Sequence, residues 1–201
     1  MIIDRRGLLV GAAALAASPA HAQSAPAEMT IGAAQAPLHL VEYASSTCGH
    51  CAHFHETNWA RLKSGYIDAG RVRFTMREMA TPPPQVAFGM FQLARCGNAA
   101  SDEYFRRLGV LFQRQRTILQ SGSMAAVRDA LVAIGAEWGL SAAQVIASLQ
   151  DGDGAARLSR SIDEANRRGV HSTPTFFLNG AAVDPSFQSL AGMTAILDAA
   201  V

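Results

Sequence analysis

The stretch "STCGHCAHFH", Ser46 to His55, decides how this chain is read. Cys48 and Cys51 stand three positions apart, with His50, His53 and His55 beside them. Such a cluster serves a covalent haem, a metal ion or a redox disulfide. Haem attachment needs a histidine directly after the second cysteine, and Ala52 occupies that place. A metal site is geometrically open, because positions 48, 51 and 55 share one helical face. A tetrahedral structural site draws a second ligand pair from a distance, and Cys96 is the one cysteine left to supply it.

Redox chemistry asks for less. Two cysteines at i and i+3 in the first turn of a helix bring their sulfurs close enough to close a small, strained ring. The first of them meets the free amides and positive field of the helix N-terminus, which favour thiolate over thiol. Cys48 should therefore have a depressed pKa, and the imidazole of His50 between the pair should deepen it. Each pKa unit of thiolate stabilisation is worth about 1.4 kcal/mol. It favours the reduced form and raises the reduction potential by about 30 mV. The motif therefore reads as an oxidant of other thiols.

The surroundings fit that chemistry. At 201 residues, 49% hydrophobic and 16% charged, the chain can bury one sizeable core, with or without an insertion. A net charge of +1 gives no electrostatic case for nucleic acid or an anionic membrane. Residues 1–22, "MIIDRRGLLVGAAALAASPAHA", have a basic start, a short apolar core and the small-x-small site Ala20-His21-Ala22. That is secretory signal architecture with cleavage after Ala22, and Arg5-Arg6 has the look of a twin-arginine signal. Without Asp4, Arg5 and Arg6 the remainder carries 15 basic and 15 acidic residues. No later run of about 18 apolar residues would hold the chain in a membrane. The expected location is the periplasm, where thiols meet an oxidising environment. Three cysteines are too few, and odd in number, for a disulfide scaffold.

Outward from the motif, "MTIG", "APLHLVEYAS" and "VRFTMREM" read as strands. A helix with the stripe Trp59, Leu62 and Tyr66 lies between the last two, which should be parallel. After Pro82–Pro84 only helical periodicity follows, to about Arg168. It breaks at Cys96-Gly97-Asn98, Ser121-Gly122, Gly139 and Asp151-Gly152, with Ser101 and Ser141 as N-caps and Gly139 and Gly169 as stops. Strand signal returns in "TPTFFLNG", turns at Asn179-Gly180 and continues in "AAV"; "SFQSLAGMTAILDAA" is a closing helix. The divisions are 23–82, a helical insertion 83–169, and 170–201. Phe105, Leu108, Leu111 and Phe112 form a core stripe. Cys96 is expected to be a buried small hydrophobe. Glu42 falls in a buried strand, where a carboxylate is expensive unless it serves a purpose; Arg77 is its candidate partner.

The "CGHC" motif after a strand and "STPTFFLNG" far downstream resemble the thioredoxin superfamily. The helical block between them resembles its DsbA-type branch of exported thiol oxidases. Phe54, Glu42 and the pair Thr173-Pro174 add to the likeness. The resemblance implies an α/β thioredoxin-like fold with an all-helical insertion, and no bound cofactor. It implies that Cys48 and Cys51 form the exchanged disulfide, donated to thiol-containing exported proteins and restored by a quinone-linked membrane partner. It implies a cis Pro174 facing that disulfide, with the Thr173 backbone pairing with an extended substrate. Glu42 would lie behind Cys51 and help move its proton. Two features, Gly49-His50 inside the motif and threonine at 173, match isomerases of the superfamily, so an isomerase or reductase is the second reading. A metal-binding or copper-delivery protein using Cys48, Cys51 and a histidine is the third. His53 and His55 are expected at the exposed edge of the substrate surface, and His171 at the rim or in a plain loop.

Overall fold

The computed structural model describes residues 28–200; the segment read as a signal, 1–22, lies outside them. The chain opens with β1 (Met29–Ile31), β2 (Leu38–Ser45), α1 (Gly49–Leu62) and β3 (Val72–Met79). Five helices follow: α2 (Pro84–Arg95), α3 (Ser101–Leu119), α4 (Met124–Glu137), α5 (Ala142–Leu149) and α6 (Gly152–Arg167). It closes with β4 (Thr175–Leu178), β5 (Ala181–Ala182), a 3-10 turn (Pro185–Gln188) and α7 (Leu190–Ala199). The sheet order is β1-β3-β2-β4-β5. β2 runs parallel to β3 in the register Glu42↔Met76 and antiparallel to β4 in the register Glu42↔Phe176. The helical crossover through α1 is what makes the parallel pairing reachable.

β2 is central and buried on both faces. Leu38, Leu40 and Ala44 join Phe54, Phe74, Phe105 and Phe176 in the main core, under α1, α3 and α7. Val41, Tyr43, Met79 and Ala165 form a smaller core on the opposite face, beneath α6. Alternation along the strand thus sends Glu42 towards the α1 side and Tyr43 towards α6. Among the described residues no helix is long and apolar enough to cross a membrane.

Local signals explain most element ends. Ser141 caps α5 in a capping box with Gln144. Gly139 and Gly169 follow α4 and α6 with φ of +77° and +74°, the left-handed conformation that ends helices and suits glycine. Three expectations differ. Ala100, not Ser101, holds the N-cap of α3; the Ser101 hydroxyl points to the Met29 sulfur at 3.8 Å instead. The turn of α1 carrying Tyr66 continues as a π-helix over Lys63–Ile67. The closing helix begins only at Leu190, where the Ser189 hydroxyl accepts from the Gly192 amide, because Pro185 and the cap at Asp184 hold the preceding residues in a separate 3-10 turn.

Candidate functional site

Cys48 occupies the N-cap of α1, with φ −82° and ψ 120°. The loop before it is tightly held. Thr47 donates to the Thr81 carbonyl at 2.9 Å and Ser46 to the Ala87 carbonyl at 3.0 Å. Gln115 of α3 donates to the carbonyls of Ser46 and Cys48 at 2.8 and 3.0 Å. Buried amide and hydroxyl groups here are satisfied by backbone carbonyls that would otherwise be stranded, so the first turn of α1 is positioned from three sides. Gln115 escaped sequence reading. Its helical stripe is apolar, and nothing local marks one glutamine as reaching a loop 69 residues away.

Cys48 is half-buried, Cys51 is fully buried, and both are free thiols. The S–H of Cys48 donates to the Thr173 carbonyl at 3.2 Å. The Thr173–Pro174 peptide bond is cis; Pro174 is buried, whereas His171 and Ser172 are exposed. The Cys48 pKa is lowered to about 5. The largest cause is the hydrogen bond from the Cys51 thiol; the Thr173 side chain and the backbone amides of Cys51 and His50 add to it, against partial burial. The His50 ring itself is exposed, and its backbone is what bears on Cys48. Cys51 is pushed the other way, well above the ordinary thiol range, by burial first, then by its hydrogen bond to Cys48 and by the charges of Glu42 and Cys48. One sulfur is poised as thiolate and its neighbour as thiol.

Behind Cys51, Glu42 is fully buried. Its Oε2 pairs with His55 Nε2 at 2.8 Å, and its Oε1 is buried without a partner. This corrects two expectations. His55 is 9% exposed and not at a substrate edge: it lies one turn after Cys51, so it faces the same way, into the sheet. His53, two positions earlier, is exposed. Arg77 does not pair with Glu42 either. It stands in register with Tyr43, on the α6 side, where it donates to the Tyr43 hydroxyl at 2.7 Å and to Glu164 at 3.1 Å, and pairs with Glu28 at 2.6 Å. Cys96, at the end of α2, is buried, its thiol 3.6 Å from the Gln144 carbonyl. Among the described residues no three His, Cys, Asp or Glu side chains are grouped to hold a metal ion.

A mixed sheet of this order, a helix begun by a cysteine pair and a cis-proline loop facing that pair make a thioredoxin-fold protein with a helical insertion. A family model described as Thioredoxin matches residues 24–199, and the chain belongs to that family. It is 30% identical over 170 residues to the Na(+)/H(+) antiporter NhaA of Herminiimonas arsenicoxydans, which covers 84% of this chain and 25% of that protein. A Rickettsia prowazekii protein provisionally named a protein-disulfide oxidoreductase is 27% identical over 158 residues, 78% of this chain and 56% of its own. The chain thus spans from a quarter to about half the length of these relatives. The crystal structure of Wolbachia pipientis alpha-DsbA1 superposes with a TM-score of 0.74 at 22% identity, over 87% of this chain and 90% of that one. This likeness shows the same fold, a thioredoxin-like sheet with a helical insertion.

Proposed function

We propose that the chain is a periplasmic thiol:disulfide oxidoreductase that donates a Cys48–Cys51 disulfide to exported proteins. The observation that carries this is the contrast between the two sulfurs. Cys48 is half-exposed with a pKa of about 5, and Cys51 is buried and raised. In the oxidised protein a substrate thiolate attacks Cys48 Sγ, the Cys48–Cys51 bond breaks, and Cys51 leaves with the electron pair and takes up a proton. A second substrate thiolate then attacks the substrate sulfur of the mixed disulfide, and Cys48 leaves as thiolate. Two substrate thiols become one disulfide and the two electrons reside on the Cys48–Cys51 pair. A stabilised leaving thiolate speeds the second step.

The other site residues take roles around that pair. The Thr173 backbone, beside Pro174, is placed to pair with an extended substrate segment at the exposed sulfur. Glu42 is the acid–base group behind Cys51, and His50 acts on Cys48 through its amide. No cofactor takes part; a quinone-linked membrane partner would reoxidise the pair. Export rests on residues 1–22, and the name of the Rickettsia relative supports the activity.

A redox titration against glutathione tests the direction of electron flow. The expected potential is roughly −180 to −120 mV, between isomerase and strong-oxidase values. A value near the thioredoxin potential of about −270 mV would make a reductase the better reading. Gly49-His50 and Thr173 favour an isomerase as the second reading. It predicts rescue of a scrambled-disulfide protein at a rate comparable with oxidation of a reduced one, whereas an oxidase is much faster at the latter.

A further inference from the structure

Glu42 is fully buried, with one oxygen on His55 and the other without a partner. A carboxylate so placed is costly unless it is paired or used. The His55 ring does not end in the core. It is stacked between Phe112 of α3, at 4.5 Å and 30°, and Trp59 of its own helix, at 5.0 Å and 26°. All three residues line a groove of about 580 Å3 between α1 and α3, which Ala52, Glu56, Gln113 and Arg116 complete. His55 therefore spans the distance from a sealed carboxylate to an open groove.

We propose that His55 is the positioning residue through which the Glu42–Cys51 pair exchanges its proton with solvent, by way of this groove rather than past Cys48. The inference rests on the oxidoreductase reading above. When Cys51 leaves Cys48 it becomes a buried thiolate beside Glu42 and needs a proton. Protonated His55 passes a proton to the Glu42 carboxylate, Glu42 passes it on to Cys51, and the ring is reprotonated from groove water. Reoxidation runs the same path backwards, so protons balance over the cycle. Imidazole suits the task because it holds Glu42 with one nitrogen while a second nitrogen remains for exchange. The ionisable groups around it are Glu42 of β2, which pairs with the ring, Cys51 on the same buried face of α1, and His53, Glu56 and Arg116, which line the groove.

The test is the rate at which a dithiol opens the oxidised pair, followed by acid quench and thiol counting across a pH series. His55→Gln still donates a hydrogen bond to Glu42 but relays no proton. It should slow opening at least about tenfold at neutral pH and change the pH dependence of the rate, with the Cys48 pKa unmoved. His55→Ala should be slow as well, and imidazole added to the buffer should restore it through the groove. A purely structural histidine predicts a wild-type rate and profile for His55→Gln and no imidazole rescue of His55→Ala; either result overturns the proposal. A wild-type protein that opens no faster than glutathione disulfide would overturn the oxidoreductase reading itself, and the role of His55 with it. A fast wild type with unaffected His55 variants sinks only the relay.

Discussion

The carbonyl oxygen of Thr173 accepts the S–H of Cys48 at 3.2 Å, joining residues 125 positions apart. This contact closes the α/β unit around the helical block. The hydroxyl of the same threonine is buried and without a partner in this thiol form, yet the side chain lowers the Cys48 pKa. The two facts agree if the thiol donates to the carbonyl and the thiolate accepts from the hydroxyl. Thr173→Val keeps the shape and removes that donor. It should raise the Cys48 pKa and lower the reduction potential together, by about 30 mV per pKa unit. Thiolate ultraviolet absorbance and a glutathione titration measure the two; an unmoved pKa would count against the hydroxyl.

The Cys51 thiol is the largest single cause of the low Cys48 pKa, and the His50 contribution comes through its backbone amide. Cys51→Ala should therefore raise the Cys48 pKa more than His50→Ala, which keeps the amide. Alkylation rates of the reduced variants across pH give both values. In the wild type Cys48 should label with a midpoint near 5, while buried Cys51 resists labelling at neutral pH. A larger shift on His50→Ala than on Cys51→Ala would restore the imidazole to the role its place between the cysteines assigns it in the sequence.

Much of this site is legible in the sequence because it is local. The cysteine spacing, the strand before it and the helix after it are short-range patterns, and the alternation in β2 predicts a buried Glu42. The His55 partner was within reach of the same reasoning. Cys51, Phe54, His55, Asn58 and Leu62 are the buried face of α1, at the spacing of an amphipathic helix, and an imidazole there must face the strand that carries Glu42. A histidine beside two others near a motif reads instead as surface. Gln115, by contrast, acts across 67 residues on the Cys48 carbonyl. Only the packing of α3 against α1 shows that, as only the sheet register shows Arg77 committed to Tyr43.

The helical block is tied to the sheet by a buried charge cluster. Glu78 Oε1, at the end of β3, accepts from Arg95 Nε of α2 at 2.7 Å and from the Tyr104 hydroxyl of α3 at 2.9 Å, and all three residues are buried. Breaking a buried ion pair by removing one partner costs about 3–5 kcal/mol. Glu78→Gln should lower the urea midpoint accordingly, and Tyr104→Phe by less, about 1.5–3 kcal/mol for a hydrogen bond to a charged group. The Cys48 pKa of the folded Glu78→Gln protein should stay near the wild-type value, since Glu78 is not among its causes. Equal stability of wild type and Glu78→Gln would show that the cluster does not hold the block in place.

The pH dependence of stability should differ between the reduced and oxidised forms, and its sign follows from the two thiols. The Cys48 pKa of about 5 in the folded reduced protein lies below the ordinary thiol value of about 8.5 that the unfolded chain shows. Between these values the unfolded state binds the extra proton, so the reduced form gains stability as pH rises. That gain is complete above about pH 8.5 and is lost as pH falls through 5. Cys51 is raised, so it acts only above its unfolded value. There the unfolded chain releases a proton that the folded chain keeps, and stability falls again. The oxidised form has neither titration. Urea unfolding of both forms should therefore give a reduced-minus-oxidised difference that climbs from pH 5 to about 8.5 and then bends down. Over the climb the reduction potential should fall by about 30 mV per pH unit, one proton for two electrons. Cys48→Ser should lose the climb and keep the downward bend. Parallel curves for the two wild-type forms between pH 5 and 8 would mean that Cys48 is an ordinary thiol, and the leaving-group advantage proposed for it would go with them.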